Sequence, residues 1–302
     1  MRNSRRPQIL LLLTGGPFLV FAVSMFAILN RVPPGATTTP SALDQRKFEE
    51  QSPLAPVSPT VAPGIHQLDA DPSAVYVIET SAGLVLIDAG LSESHAALVL
   101  QMGDLGLDPS QVRAILLTHA HGDHSQGAMP LKRRSGATIY AGRDDARVLR
   151  DGEPYEAIFS IADMPGHDIH ATEIDVELIG SEILAFGDTR IEVLATPGHT
   201  PGSTCYVLDR GGSRVFFGGD TIMSHREVGT YSVYLPPRYR GDARAYLATL
   251  RKLSALPIPD VLLPGHPRHE STPHNNRIPA AQWLSMLKHG IRELETLVER
   301  DE

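Results

Sequence analysis

The chain has 302 residues, 42% hydrophobic and 21% charged, enough apolar matter for a packed core, which excludes a disordered or fibrous protein. Its formal net charge of −8, with no basic stripe, argues against a nucleic-acid partner. One cysteine, Cys205, excludes an internal disulfide and any cysteine-rich zinc or iron–sulfur site, so the 13 histidines are the unusual feature.

In chain order, Arg2, Arg5 and Arg6 precede an apolar run from Ile9 to Leu29, which predicts an N-terminal hydrophobic helix within residues 1–31. Two readings stand. As an uncleaved anchor, 21 residues just cross a hydrocarbon core of roughly 30 Å, with the arginines on the cytoplasmic side. As a cleavable signal, Ile9 to Phe21 is the apolar core and Ala22-Val23-Ser24 the small-residue site. Either sends the remaining chain across a membrane. The domain is then membrane-anchored outside the cytoplasm, or secreted or periplasmic if the signal is removed. Residues 32–63 carry seven prolines among Ser, Thr and Ala, which predicts an extended linker. Folding signals begin at Gly64, giving a globular domain over 64–302 with no internal repeat.

Within it, Ala74–Ser81 and Leu84–Asp88 read as strands joined by a turn at Ala82-Gly83. Ser94–Met102 reads as a helix, Val112–Leu117 and Thr138–Tyr140 as strands, and Asp144–Arg150 as a helix with Asp144 as its cap. Strands follow at Ile183–Phe186, Ile191–Ala195, Thr204–Leu208 and Val215–Phe217. In Asp242–Leu256 the apolar residues Ala243, Tyr246, Leu247, Leu250 and Leu253 share a helical face. Val261–Leu263 is the last strand. Trp283, Leu284, Leu287, Ile291, Leu294 and Leu297 define a closing amphipathic helix. The mixture predicts a layered α/β domain.

After the strand around Leu116 the chain reads Thr118-His119-Ala120-His121-Gly122-Asp123-His124. His119 and His121, two apart, project to one side of an extended segment, and Gly122 lets Asp123 and His124 face a second position. Imidazole nitrogen and carboxylate oxygen are the usual donors for zinc and related cations. His199, Asp220 and His266 each follow a strand in segments rich in Gly and Pro: Thr196-Pro-Gly-His, Gly218-Gly-Asp and Pro264-Gly-His. Loops on a rigid sheet are where functional groups gather. Ser125 and Ser203 lack triad partners and read as local hydrogen-bonding residues, and Cys205 as a buried inert thiol.

From roughly Gly64 to His266 this set resembles the metallo-β-lactamase superfamily. The HxHxDH run, the Pro-Gly-His, Gly-Asp and Pro-Gly-His segments, and Leu86-Ile-Asp88-Ala-Gly carry the likeness. The resemblance implies a four-layer αβ/βα sandwich with metal at one edge. It implies that His119, His121 and His199 hold one ion and that Asp123, His124 and His266 hold a second. Asp220 would bridge the two, and Asp88 would support the metal loop from behind the ligands. Two Zn2+ ions per chain are the expected cofactor, with manganese or iron used by relatives.

The implied activity is a metallo-hydrolase that turns a hydroxide activated by two metal ions on a small ester, lactone, thioester or β-lactam. Asp123 would orient the nucleophile as a catalytic residue besides ligating. Several stretches resemble the third subclass of zinc β-lactamases, among them Asp145 to Gly152 and Thr196 to Thr204. Departures stand beside them. Met223 replaces the serine those lactamases use on the drug carboxylate, and also the tyrosine of homoserine-lactone hydrolases; Gly218-Gly-Asp looks more like glyoxalase II and lactonase relatives, whose Gly-His-Glu is here Gly265-His266-Pro267. The loop from His225 to Arg240, with Tyr231, Tyr234 and Arg238, reads as a substrate-facing wall or as ordinary surface, His225 as a further ligand, and His167 and His170 as lining the mouth.

Three alternatives remain open: a zinc β-lactamase proper, a mononuclear iron sulfur dioxygenase, and a tethered non-enzymatic binding domain. The last would be marked by a lost ligand, and all seven positions are filled. The partners implied are a small-molecule substrate and, through the N-terminal segment, a membrane. The sequence leaves the oligomeric state open.

Overall fold

A computed structural model describes residues 59–70, 73–91, 94–152, 169–224, 227–228, 241–267 and 277–300. The first sheet holds β1 (Thr60–Ala62), β2 (Ile65–Asp69), β3 (Ala74–Thr80), β4 (Gly83–Ile87), β5 (Val112–Leu116), β6 (Thr138–Gly142) and β7 (Val176–Leu178) in that order. β1 to β4 run as an antiparallel meander, and β4 to β7 pair in parallel. The second sheet runs β14 (Val261–Pro264), β11 (Ser213–Gly219), β10 (Thr204–Arg210), β9 (Thr189–Ala195), β8 (Ile183–Phe186). Only its β11–β14 pair is parallel. β12 (Ile222–Ser224) and β13 (Glu227–Val228) form a separate ribbon.

The continuous apolar runs of β3 to β5 have a simple cause: both faces of the sheet are covered. Successive side chains of a strand point to opposite faces. Tyr76, Ile78, Val85, Ile87, Ala114 and Leu116 therefore meet Ile191, Val193, Tyr206, Leu208, Val215 and Phe217 between the two sheets. Their neighbours Val75, Val77, Leu84, Leu86 and Ile115 face the other way. There they pack on Leu98 and Met102 of α1 (His95–Asp104), Ala128 and Leu131 of α3 (Ala128–Ser135), and Ala146 and Leu149 of α4 (Arg143–Asp151). On the outer side of the second sheet, Phe216 meets Trp283 of α6 (Ala280–Arg300) edge-on at 5.3 Å. Beside α6 lies α5 (Ala243–Ser254), joined to it by Arg251 and Glu295 at 2.7 Å. Helices thus cover the outer face of each sheet, as the expected sandwich requires.

Several boundaries differ from the sequence reading. β1 begins at Thr60 and buries Val61, so ordered structure starts inside the stretch read as linker. Asp144 does not cap α4; Gly142 holds that position, and Asp144 and Asp145 lie in the first turn. Asp242 is a side-chain cap, accepting from the Ala245 amide at 2.9 Å at the start of α5. On α6 the buried face is Trp283, Met286, Leu287, Gly290 and Leu294, while Leu284 is exposed. β2, β7, β12, the four-residue α2 (Gly122–Ser125) and α3 had no counterpart in the sequence reading.

The expected N-terminal helix of residues 1–31 lies outside the described residues. Among those described, no helix is long and apolar enough to cross a membrane.

Candidate metal centre

Four strand ends deliver the chemistry. His119 and His121 follow β5, His199 follows β9, Asp220 follows β11 and His266 follows β14. α2 turns the chain after His121 and carries Asp123 and His124. The two sheets touch at this rim, where the Thr204 amide donates to the Thr118 carbonyl at 2.8 Å.

All seven expected ligand side chains converge. One group is His119, His121, His199 and Asp220, and the other is Asp123, His124 and His266; within each, one donor atom per residue lies within 4.8 Å of the others. His121 Nδ1 is 2.9 Å from His119 Nε2 and 3.0 Å from His199 Nε2. His124 Nε2 is 3.3 Å from His266 Nε2 and 3.5 Å from Asp123 Oδ2, and His266 Nε2 is 3.4 Å from that same oxygen. Asp220 reaches both groups: Oδ1 is 3.3 Å from His124 Nε2, and Oδ2 is 3.4 Å from His199 Nε2 and 3.3 Å from His266 Nε2.

These spacings fit a cation. Donors about 2.0–2.1 Å from a tetrahedral zinc stand roughly 3.3 Å from one another. Nitrogen and carboxylate donors suit such an ion, and Asp220 Oδ1 is a buried acceptor with no hydrogen bond among the described residues. A cation between the groups would satisfy it.

The electrostatics divide the cluster. Burial, then the neighbouring histidines, holds His119 well below the ordinary imidazole range; burial, then His199, pulls His121 down to about 3. Both are neutral lone-pair donors at physiological pH. Burial would lower His124 too, but Asp123, Asp220 and Asp88 overcome it and raise its pKa well above the usual value. His266 is raised against burial by Asp220, then by Asp123. Burial pushes Asp123 and Asp220 upward, but the charges of His124 and His266 prevail and both stay below the usual carboxylate range.

The supports are as specific as the donors. Asp88, directly after β4, has φ +61°, a conformation that costs a side-chain-bearing residue about 1–2 kcal/mol. There Oδ1 accepts from the Thr118 amide at 2.7 Å, while Oδ2 accepts from Thr118 Oγ1 and His124 Nδ1, each at 2.8 Å. Fixing Nδ1 in this way aims Nε2 of His124 into the cluster. Gly265 lies so close that a Cβ there would sit 2.2 Å from Asp220 Oδ1.

Sequence reading missed a second set of supports. Tyr206 donates its hydroxyl to the Leu117 carbonyl at 2.7 Å, Tyr246 to that of Thr221 at 2.6 Å, and Tyr76 to that of Pro264 at 2.7 Å. Ser73 Oγ donates to the Asp123 carbonyl and Thr249 Oγ1 to that of Pro197. Each tyrosine anchors one ligand-bearing strand end, and in the sequence each looks like an ordinary core aromatic. Asp145 is another omission: it is buried in α4 and bonded to the loops of His119, His121 and His199. Ser125 and Ser203 make local hydrogen bonds as expected, to the Ala120 carbonyl and to Thr200. Cys205 is fully buried and its thiol is pushed up to about 11, chiefly by burial, which makes it inert.

His170 is exposed and stands apart from both donor groups. His225, Tyr231, Tyr234, Arg238 and His167 lie outside the described residues.

The model of the metallo-beta-lactamase superfamily matches residues 68–266. The chain belongs to that superfamily. A probable metallo-hydrolase of Burkholderia pseudomallei is 31% identical over 202 residues, 65% of this chain and 63% of that protein. A hydroxyacylglutathione hydrolase of Rhodopseudomonas palustris is 32% identical over 152 residues, 50% of this chain and 47% of its own. The chain thus spans about half to two thirds of the length of these two relatives. Among solved structures, a subclass B3 metallo-beta-lactamase of Bradyrhizobium japonicum superposes with a TM-score of 0.64 at 26% identity, covering 82% of this chain and 95% of that one. Both of these relatives are named as hydrolases.

Proposed function

We propose that this protein is a two-metal hydrolase of a small substrate with an ester, lactone, thioester or β-lactam carbonyl. His119, His121, His199 and Asp220 would hold one divalent cation and Asp123, His124 and His266 the other, with Asp220 shared between them and zinc as the expected metal. Bound there, the cations supply Lewis acidity, polarising the carbonyl and acidifying water towards neutral pH. The observation that carries the reading is Asp220, whose two oxygens face donors of both groups at 3.3–3.4 Å.

The chain's own residues do the rest. Asp123, whose pKa lies below the usual carboxylate range, is acceptor-only and would orient an attacking water by taking its hydrogen bond. His119 and His121 stay neutral and keep their lone pairs for ligation. Asp88 keeps His124 in one tautomer. Tyr231, Tyr234 and Arg238 are the proposed substrate contacts. The same proposal places the domain beyond a membrane, led or held there by residues 1–31.

A zinc β-lactamase proper is the second reading, favoured by the 26% identical subclass B3 structure. Against it stands Met223, buried where those enzymes use a serine. The test is metal content and turnover on one purified sample, with nitrocefin, imipenem, a homoserine lactone, a thioester and a phosphodiester. Two zinc ions per chain with cleavage of a carbonyl substrate is the expected result. One iron per chain without hydrolysis would overturn the proposal in favour of dioxygenase chemistry, and the absence of bound metal would favour a binding domain.

A further inference from the structure

We infer that Asp145 is a positioning residue that sets the geometry of three members of one donor group, His119, His121 and His199, and does not set that of His124 and His266. The inference rests on the two-metal reading. Asp145 is 1% exposed and lies in the first turn of α4, outside the seven ligands. Its carboxylate takes three donors from two separate loops. Oδ2 accepts from the Ala120 amide at 2.9 Å and from Thr200 Oγ1 at 2.7 Å, and Oδ1 accepts from the Gly202 amide at 2.8 Å.

The positions of those donors matter. Ala120 is the residue between His119 and His121, and Thr200 is the residue after His199. A single side chain therefore fixes the spacing of three imidazoles whose nitrogens meet at 2.9 and 3.0 Å. The loop of His199 is also pressed on α4 without intervening side chains. A Cβ on Gly202 would fall 2.4 Å from the Asp145 amide nitrogen, and one on Gly142 would fall 2.0 Å from the Gly202 carbonyl. This loop cannot slide past the helix.

Two backbone amides and a hydroxyl call for a pure acceptor with two oxygens, and only an ionised carboxylate supplies that. An asparagine has one oxygen. Whichever way its amide turns, an N–H is aimed at a donor in a buried site, where an unmade bond is not replaced by water. The second group has different anchors: Asp88 on His124, Ser73 on the Asp123 carbonyl and Tyr76 on the Pro264 carbonyl. Loss of the Asp145 contacts therefore acts first on the group of His119, His121 and His199.

The experiment is equilibrium zinc binding against a chromophoric chelator, on full-length wild type and Asp145→Asn, with circular dichroism as the check on folding. A His266→Ala reference, which spares the first group, identifies the step that moves. Asp145→Asn should weaken one of the two sites by about 10–100-fold, the scale for groups that orient metal ligands, and leave the other unchanged. Thr200→Val removes one donor and should give a smaller loss at the same site. A folded Asp145→Asn with both sites at wild-type affinity, or both weakened alike, overturns the inference and leaves the two-metal reading intact. Should Asp145→Asn not fold, unchanged binding by Thr200→Val overturns it equally. A wild type that binds no zinc refutes the metal reading instead.

Discussion

At the scale of the residue, function depends on atoms that are aimed rather than merely present. Asp88 illustrates this. Its Oδ2 takes hydrogen bonds from His124 Nδ1 and from Thr118 Oγ1, and that hydroxyl is 3.0 Å from His119 Nδ1. Asp88→Asn turns an N–H towards one of these partners. It should therefore weaken zinc at both groups by about 10–100-fold in a chelator competition, whereas Asp145→Asn weakens one. Wild-type affinity in the variant would reject the orienting role. Asp123→Ala removes the acceptor proposed to orient water, together with one donor of its group. Turnover should fall by about 10²–10⁴-fold on any substrate the parent cleaves, with an unchanged circular dichroism spectrum. The seven converging side chains were legible in the sequence because His and Asp clustered after apolar runs have few structural explanations. Asp145 was not, since an acid in the first turn of a helix looks like a dipole-complementing surface residue. Its role exists only in three dimensions.

At the scale of the element, the long strands and α5 were readable because burial on both faces leaves unbroken apolar runs and burial on one face leaves a helical stripe. The short pieces were not. α2 is four residues of Gly-Asp-His-Ser, too short for a period and made of functional groups. α3 reads Ala-Met-Pro-Leu-Lys-Arg-Arg-Ser and buries only Ala128 and Leu131, too narrow a stripe to stand out. α3 is tied down partly by charge, which gives a prediction at this scale. Lys132 donates to both oxygens of Asp175, at 2.7 and 2.8 Å, and the Ile139 amide of β6 donates to Oδ2 at 2.7 Å. Slight burial would raise the Asp175 pKa, but the Ile139 bond and then Lys132 bring it below the usual value. A depressed folded-state pKa means that the stabilisation is fully present above the unfolded value, near 3.9, and is lost as pH falls through the folded value. The Asp175 side chain is 36% exposed, so screening limits the ion pair to about 1 kcal/mol or less. Asp175→Asn should thus lower the urea midpoint at pH 6–7, by an amount that shrinks as pH falls below the unfolded value. A gap that persists unchanged at pH 3 would assign the effect to packing instead of charge.

At the scale of the whole molecule, each donor group spans both sheets. His119 and His121 leave the first sheet and meet His199 and Asp220 from the second; Asp123 and His124 follow the first and meet His266 from the second. Direct backbone bonding between the sheets at this rim includes the Thr204 amide on the Thr118 carbonyl, while face to face the sheets meet through the apolar layer of Tyr76, Ile87, Leu116, Tyr206 and Phe217. A cation held by either group therefore joins the sheets at their functional edge and favours the folded chain over the unfolded one. A ligand at 1,000 times its dissociation constant stabilises by about 4.1 kcal/mol per site. In a domain of this size, each kcal/mol moves the melting temperature by about 2–4 °C. Chelation should then lower the melting temperature by roughly 8–16 °C for each site emptied from that degree of saturation, and added zinc should restore it. In Asp145→Asn, the recovery should require more zinc for one site. A melting temperature indifferent to chelator, in protein shown to have lost its metal, would mean that the two sheets hold the rim together unaided and that the donors converge without strain or repulsion.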